Sequence, residues 1–152
     1  MKPEQKLKSL AIDLPPAPRP VGAYVPAVRT GNLIFTAGQL PLTGGELTAT
    51  GKVGAEVSLD AARTAARQAA LNALGAVRAL AGSLDAVTQI VRVNVFVNSA
   101  AGFTDQARVA DGASELLAAV FDRAAAHTRC AIGAAELPLN APVELDMIVE
   151  TA

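Results

Sequence analysis

The chain has 152 residues, with 13 basic side chains against 14 acidic ones for a net charge of −1, one histidine and one cysteine. That length suits one domain burying roughly two thirds of its unfolded surface. The charge balance argues against a phosphate-binding surface, which shows as a basic excess or stripe. A lone Cys130 excludes an intramolecular disulfide and any multi-cysteine metal site, and no run has the length of a signal peptide core or a membrane span. The expectation is a cytoplasmic protein with no membrane or nucleic-acid partner and no metal.

Hydrophobic residues make up 51% of the chain, charged ones 18% and aromatics only 3%, so alanine and valine carry the apolar fraction. Such a scarcity of charge suits further apolar surface buried between subunits, although Ala-rich helices alone would also raise the apolar count.

In chain order, residues 1–20 form an extension: "KPEQKLKSLAI" predicts a short helix, and the closely spaced prolines of "DLPPAPRP" predict an extended tether. Residues 21–152 form the single domain. "YVPAVRTGNLIFTAGQLPL" reads as two strands about a turn at Thr30-Gly31-Asn32, and "TGGELTATGKVG" as a glycine-rich solvent loop or a short strand. That loop fails the phosphate-loop pattern, since Glu46 stands where glycine is required and Val53 follows Lys52.

The stretch from Ser58, a candidate N-cap, to Gly82, a candidate C-terminal cap, has helical periodicity. In "LDAVTQIVRVNVFVNS", Val91, Val93, Val95 and Val97 share one strand face, and Arg92, Asn94, Phe96 and Asn98 the other. A second helix follows with Val109, Ala113, Leu116, Leu117 and Val120 at helical spacing, despite Gly112. "TRCAIGAA" and "VELDMIVE" close the chain as strands. The order β-β-(β)-α-β-α-β-β predicts an α+β two-layer domain, one mixed sheet with two helices on one face.

Strict alternation, with Cys130, Ile132 and the Val143, Leu145, Met147, Val149 row placed under the helices, sends Arg92, Asn94, Arg129, Ala131, Glu144 and Asp146 to the helix-free face. Arg129 and Glu144 then face the same way. An arginine fork suits a carboxylate ligand and a glutamate can hold a water or move a proton. The pair would equally serve as a cross-strand ion pair. Cys130 is expected to be an inert core thiol, His127 a loop residue without a serine or cysteine partner, and Arg92 and Asn94 interface residues.

Three stretches carry a family resemblance: Gly22-Ala23-Tyr24 through Ala27-Val28, Ala37-Gly38-Gln39-Leu40-Pro41, and Arg129 through "ELPLNAPVE" to Glu144. Over about residues 20–150 the sequence resembles the Rid/YjgF family of reactive-intermediate deaminases, formerly labelled endoribonuclease L-PSP. The resemblance implies a chorismate-mutase-like fold and a homotrimer with sites between subunits. It also implies cofactor-free hydrolysis of 2-imino or enamine acids to 2-keto acids and ammonia. Arg129 takes the carboxylate-clamp position and Glu144 the water-orienting one, while Tyr24, Ala37, Gly38 and Ala131 take the remaining substrate-binding positions. Ala37 replaces a serine and Ala131 a cysteine, and a family asparagine falls only loosely near Asp111. The alternatives are a non-catalytic carboxylate-binding or interaction protein of the same fold, or an endoribonuclease.

Overall fold

The helical run after Ser58 forms the longest element, α2 (Leu59–Ala81), in the computed structural model, which describes residues 1–17, 19 and 22–152. Its ends are fixed as the sequence predicts: Ser58 Oγ accepts from Ala61 N at 3.1 Å, and Gly82 closes the helix at φ 84°. The inward face is an alanine stripe in which Ala62, Ala65, Ala66, Ala69, Ala70 and Ala73 have no accessible surface. Such short side chains let a neighbouring backbone come close.

The second helix, α3 (Gln106–Phe121), uses that closeness. A Cβ on its Gly112 would lie 2.1 Å from the Arg63 carbonyl oxygen of α2. A mid-helix glycine costs about 1 kcal/mol, and here it is the residue that allows two backbones to meet.

The two helices cover one face of a five-stranded sheet built from β1 (Ala27–Thr30), β2 (Leu33–Thr36), β5 (Val87–Asn98), β6 (Thr128–Ala134) and β7 (Val143–Thr151), in the spatial order β1-β2-β7-β5-β6. Only β5 and β6 run parallel, and α3 is their crossover. Between β2 and α2, β3 (Leu42–Thr43) and β4 (Glu46–Leu47) make a separate hairpin turned by Gly44 and Gly45 at φ 60° and 83°. The glycine-rich stretch is therefore two short strands rather than one, and its end is not a solvent loop. Gly51 and Val53 are buried, and Lys52 Nζ donates to Asn98 Oδ1 at 3.0 Å.

The helix-facing row includes Ile34, Val93, Val95, Leu145, Met147 and Val149, all essentially without accessible surface. A bulge at Val91 shifts the register between Ile90 and Arg92, so Ile90 takes the core position expected of Val91. Asn98, expected on the open face, is fully buried, its amide donating to the carbonyls of Gly51 and Ala141.

Among the described residues a third helix, α1 (Pro3–Ser9), opens the chain, as expected. Leu7 is buried, the Glu4 carboxylate accepts from Leu84 N at 2.9 Å and from Arg78 at 3.2 Å, and Lys6 pairs with Asp122. Beyond it Ile12 and Leu14 pack on the core, and Asp13–Ala17 adopt no helix or strand. A Cβ at Gly75 of α2 would lie 2.4 Å from the Pro15 carbonyl oxygen, so this strap is seated directly on the helix. The extended path expected through Pro18 and Pro20 lies outside the described residues.

Candidate functional site

Glu144 follows the first residue of β7 and points away from the helices, opposite Phe96 in the neighbouring β5. The strand continues Glu144, Asp146, Ile148 on that open face while Val143, Leu145 and Met147 fill the core, as alternation predicts. Residues 37–39 lie alongside: Gln39 and Leu145 exchange both backbone hydrogen bonds, at 2.7 and 3.0 Å. This pairing brings Gly38 against the carboxylate, where a Cβ would stand 2.3 Å from Glu144 Oε1. Glycine is what lets the carboxylate lie over the chain.

A cavity of about 210 Å³ opens here, with Tyr24, Ala37, Gly38 and Leu139 around Glu144. Tyr24 is 55% exposed at its rim. Leu139 also lines it, and Leu139 and its neighbour Asn140 have φ of 58° and 57°, a conformation that L side chains disfavour. Their loop is held by Asn98 Nδ2 donating to Asn140 Oδ1 at 3.2 Å and by Gly51 N donating to Asn140 O at 2.9 Å.

Burial, helped by the negative charge of Asp146, raises the Glu144 carboxyl above its ordinary range. Among the described residues no cation lies within ion-pairing distance of it and no donor reaches it. Its neighbour is engaged differently, since Asp146 Oδ1 accepts from Asn94 Nδ2 at 2.8 Å and Asn94 Oδ1 accepts from Arg92 Nε at 2.9 Å. Arg92 and Asn94 thus occupy the open face, as expected.

Arg129 is placed otherwise than the alternation argument predicts. In the parallel register it aligns with Val93, and Ala131 with Val95, both core residues. Arg129 therefore turns toward the helix layer, where it donates to Asp111 Oδ1 at 2.9 Å, Ser114 Oγ at 3.1 Å and the Ala107 carbonyl at 3.2 Å. Ala131 packs against the core. Within one chain Arg129 and Glu144 stand on opposite faces, in strands separated by β5.

Cys130 and Ile132 correspondingly project from the open face, aligned with Asn94 and Phe96. Cys130 is exposed, with Arg92 Nη2 at 3.2 Å from Sγ, and Ile132 is 51% exposed. The expected core placement fails for a physical reason. Sorting by hydrophobicity assumes a wet open face, yet this one also carries Val28 and Phe35 at 53% and 40% exposure. His127 has the serine partner the sequence did not suggest: its Nε2 lies 2.9 Å from Ser114 Oγ, and Nδ1 hydrogen-bonds the Ala125 carbonyl. Asp111, only loosely placed by resemblance, proves to be the Arg129 counterion.

Arg19, Gln39 and Leu139 also line the Glu144 cavity and were not anticipated. Only the adjacency of Gln39 to Gly38 offered a sequence signal.

This architecture, a mixed sheet with its helices on one face, is the YjgF/chorismate-mutase-like fold. Residues 4–150 match the family described as "YjgF/chorismate_mutase-like, putative endoribonuclease", and the chain belongs to it. It is 42% identical over 145 residues to Protein TCP17 of Trypanosoma cruzi, covering 95% of this chain and 91% of that one. It is 32% identical over 140 residues to a 2-iminobutanoate/2-iminopropanoate deaminase of Dermatophagoides farinae, covering 91% and 93%. The crystal structure of Atu1372, a protein of unknown function from Agrobacterium tumefaciens, superposes with a TM-score of 0.91 at 41% identity, covering 99% of this chain and 92% of that one. Among the described residues no helix is long and apolar enough to cross a membrane.

Proposed function

We propose that the protein hydrolyses small 2-imino or enamine acids to 2-keto acids and ammonia, with Glu144 as the proton-transfer group. The observation that carries this reading is the half-buried, unpaired Glu144 carboxylate lying over Gly38. A carboxyl whose proton affinity is raised by burial is a better base than an exposed one. It takes a proton from a water that adds to the imine carbon, and returns it to the nitrogen. Glu144 then takes the hydroxyl proton and passes it to the departing nitrogen as the C–N bond breaks, so ammonia leaves and the water oxygen becomes the keto oxygen. The deaminase relative supports this reaction class.

The cation for the substrate carboxylate comes, in this reading, from a second copy. The exposed apolar residues of the open sheet face call for cover, and we infer a homotrimer in which Arg129 and Ala131 of one subunit approach Tyr24, Ala37, Gly38 and Glu144 of the next. Asp111 and Ser114 hold the Arg129 guanidinium in a fixed orientation while leaving donor capacity for a carboxylate. A Glu144 that no cation neutralises favours catalysis over a purely binding role. The near-neutral charge and 3% aromatics disfavour an endoribonuclease.

A coupled assay of keto-acid release from 2-iminobutanoate tests the reaction, and sedimentation tests the assembly. Turnover by wild-type protein at the background rate, or a stable monomer at micromolar concentration, overturns the corresponding part.

A further inference from the structure

A second cavity, of about 530 Å³, continues from the one at Glu144, and Gln39, Leu42 and Arg19 line both. Its outer wall is the strap that follows α1, through Pro15, Pro16 and Ala17, and its floor is the β3–β4 turn at Gly44 and Gly45. The wall is fixed rather than draped. Pro15 sits against the glycine recess at Gly75, and Leu7, Ile12 and Leu14 anchor the preceding residues in the core. Prolines restrict the backbone further, so ordering this wall costs little when a ligand enters.

The polar side chains lining this cavity hydrogen-bond within the fold, with one exception. Asn72 Nδ2 donates to the carbonyls of Leu40 and Leu42 at 2.9 and 3.0 Å, and its Oδ1 accepts from Gln68. Gln39 Nε2 donates to the Ala37 carbonyl at 3.2 Å. Arg19 is the exception: it stands where the two cavities join, and no carboxylate of the described residues lies within ion-pairing distance. A guanidinium at such a junction suits a second carboxylate, one carried at the far end of a ligand whose reacting carbon sits at Glu144.

We propose that the N-terminal strap forms the side-chain subsite and that Arg19 selects short dicarboxylic 2-imino acids over monocarboxylic ones. This rests on the deaminase reading for the orientation of the ligand. The groove beside Leu42 and the prolines then holds the methylene chain between the two acid groups.

The test uses the full-length protein, wild type and Arg19→Ala, titrated calorimetrically with 2-oxoglutarate and with 2-oxobutanoate, and assayed on the corresponding imines. Wild type is expected to favour the diacid, and that preference ratio should fall by about tenfold or more in Arg19→Ala, the effect of losing one hydrogen bond to a charged group. Gly75→Ala, which pushes on Pro15 while keeping Arg19, should lower the same ratio. A wild-type ratio near unity, binding of neither keto acid, or a ratio untouched by Arg19→Ala overturns the assignment. The two readings separate cleanly. An Arg19-dependent ratio without any imine hydrolysis keeps the subsite and sinks the deaminase, whereas hydrolysis without diacid preference does the reverse.

Discussion

Glu144 and Arg129 are both half-buried charges at the margins of one sheet, and the protein treats them in opposite ways. Arg129 is given three acceptors from α3, including the Asp111 carboxylate. Glu144 has no donor among the described residues, and Asp146 beside it makes its charge harder to hold. A guanidinium held by three acceptors has its geometry set in advance and still has donors to spare. An unsatisfied carboxylate with raised proton affinity is a group ready to exchange a proton. The contrast separates an anchor from an acid–base group without reference to any ligand.

The sharpest way to break that contrast is Glu144→Gln, which keeps the shape over Gly38 and removes the base. Imine hydrolysis should fall by about 10²–10⁴-fold, the range for a positioned proton-transfer group, while keto-acid affinity measured by calorimetry changes little. Turnover close to wild type would reduce Glu144 to a surface charge.

Next in size is Gly112→Ala, which strikes the seat of the anchor rather than the anchor itself. The added methyl meets the Arg63 backbone, with Arg63 Cα at 3.0 Å as well as the carbonyl, and neither is a movable side-chain tip. Overpacking of this kind costs about 1–3 kcal/mol, so the urea midpoint should drop at unchanged slope. α3 would also shift Asp111 and Ser114.

A smaller effect is expected from Arg129→Lys, which keeps the charge and loses the fork. Keto-acid binding should weaken by about tenfold, with imine turnover at saturating substrate affected less. Equal affinity in the two proteins would make Arg129 a structural ion pair of α3 and nothing more.

The smallest effect concerns stability against pH. Burial and Asp146 penalise ionised Glu144 in the folded state, so its folded pKa lies above the unfolded one. The fold pays this penalty when the pH is above the folded value, and escapes it once the carboxyl is protonated. Glu144→Gln should therefore melt slightly higher than wild type at neutral pH, and the difference should shrink as the pH falls through the carboxyl range. A gap that widens on acidification would contradict the raised proton affinity.

Much of this was legible in the sequence because the signals were local. Ser58 and Gly82 mark the ends of α2, Gly31 turns the first hairpin, and the alternation in residues 143–149 places Glu144 on the open face. What escaped was phase. Alternation sorts a strand into two faces and leaves open which face meets the helices. For β6 the parallel register with β5 decides it, and that register is a long-range property of the α3 crossover. Arg129, Cys130 and Ile132 were all turned over for this one reason. The bulge at Val91 and the burial of Asn98 are likewise settled by partners distant in sequence. Arg19 was invisible because nothing near it in the chain reveals that the strap returns past Gly75 to the Glu144 cavity.

The alanine stripe of α2 leaves the molecule with lopsided mutational tolerance. A scan that truncates side chains to alanine registers the buried Leu74 and Val77 of this helix but passes over Ala62, Ala65, Ala66, Ala69, Ala70 and Ala73 without altering anything. Substitution in the other direction is expected to meet a close-packed interior at all six, where an added branch displaces neighbouring atoms. The stripe that such a scan cannot see is thus the part of the helix expected to admit little variety. In a saturation library of this protein, α2 should stand out as a periodic run of positions accepting glycine, alanine or serine and rejecting everything larger.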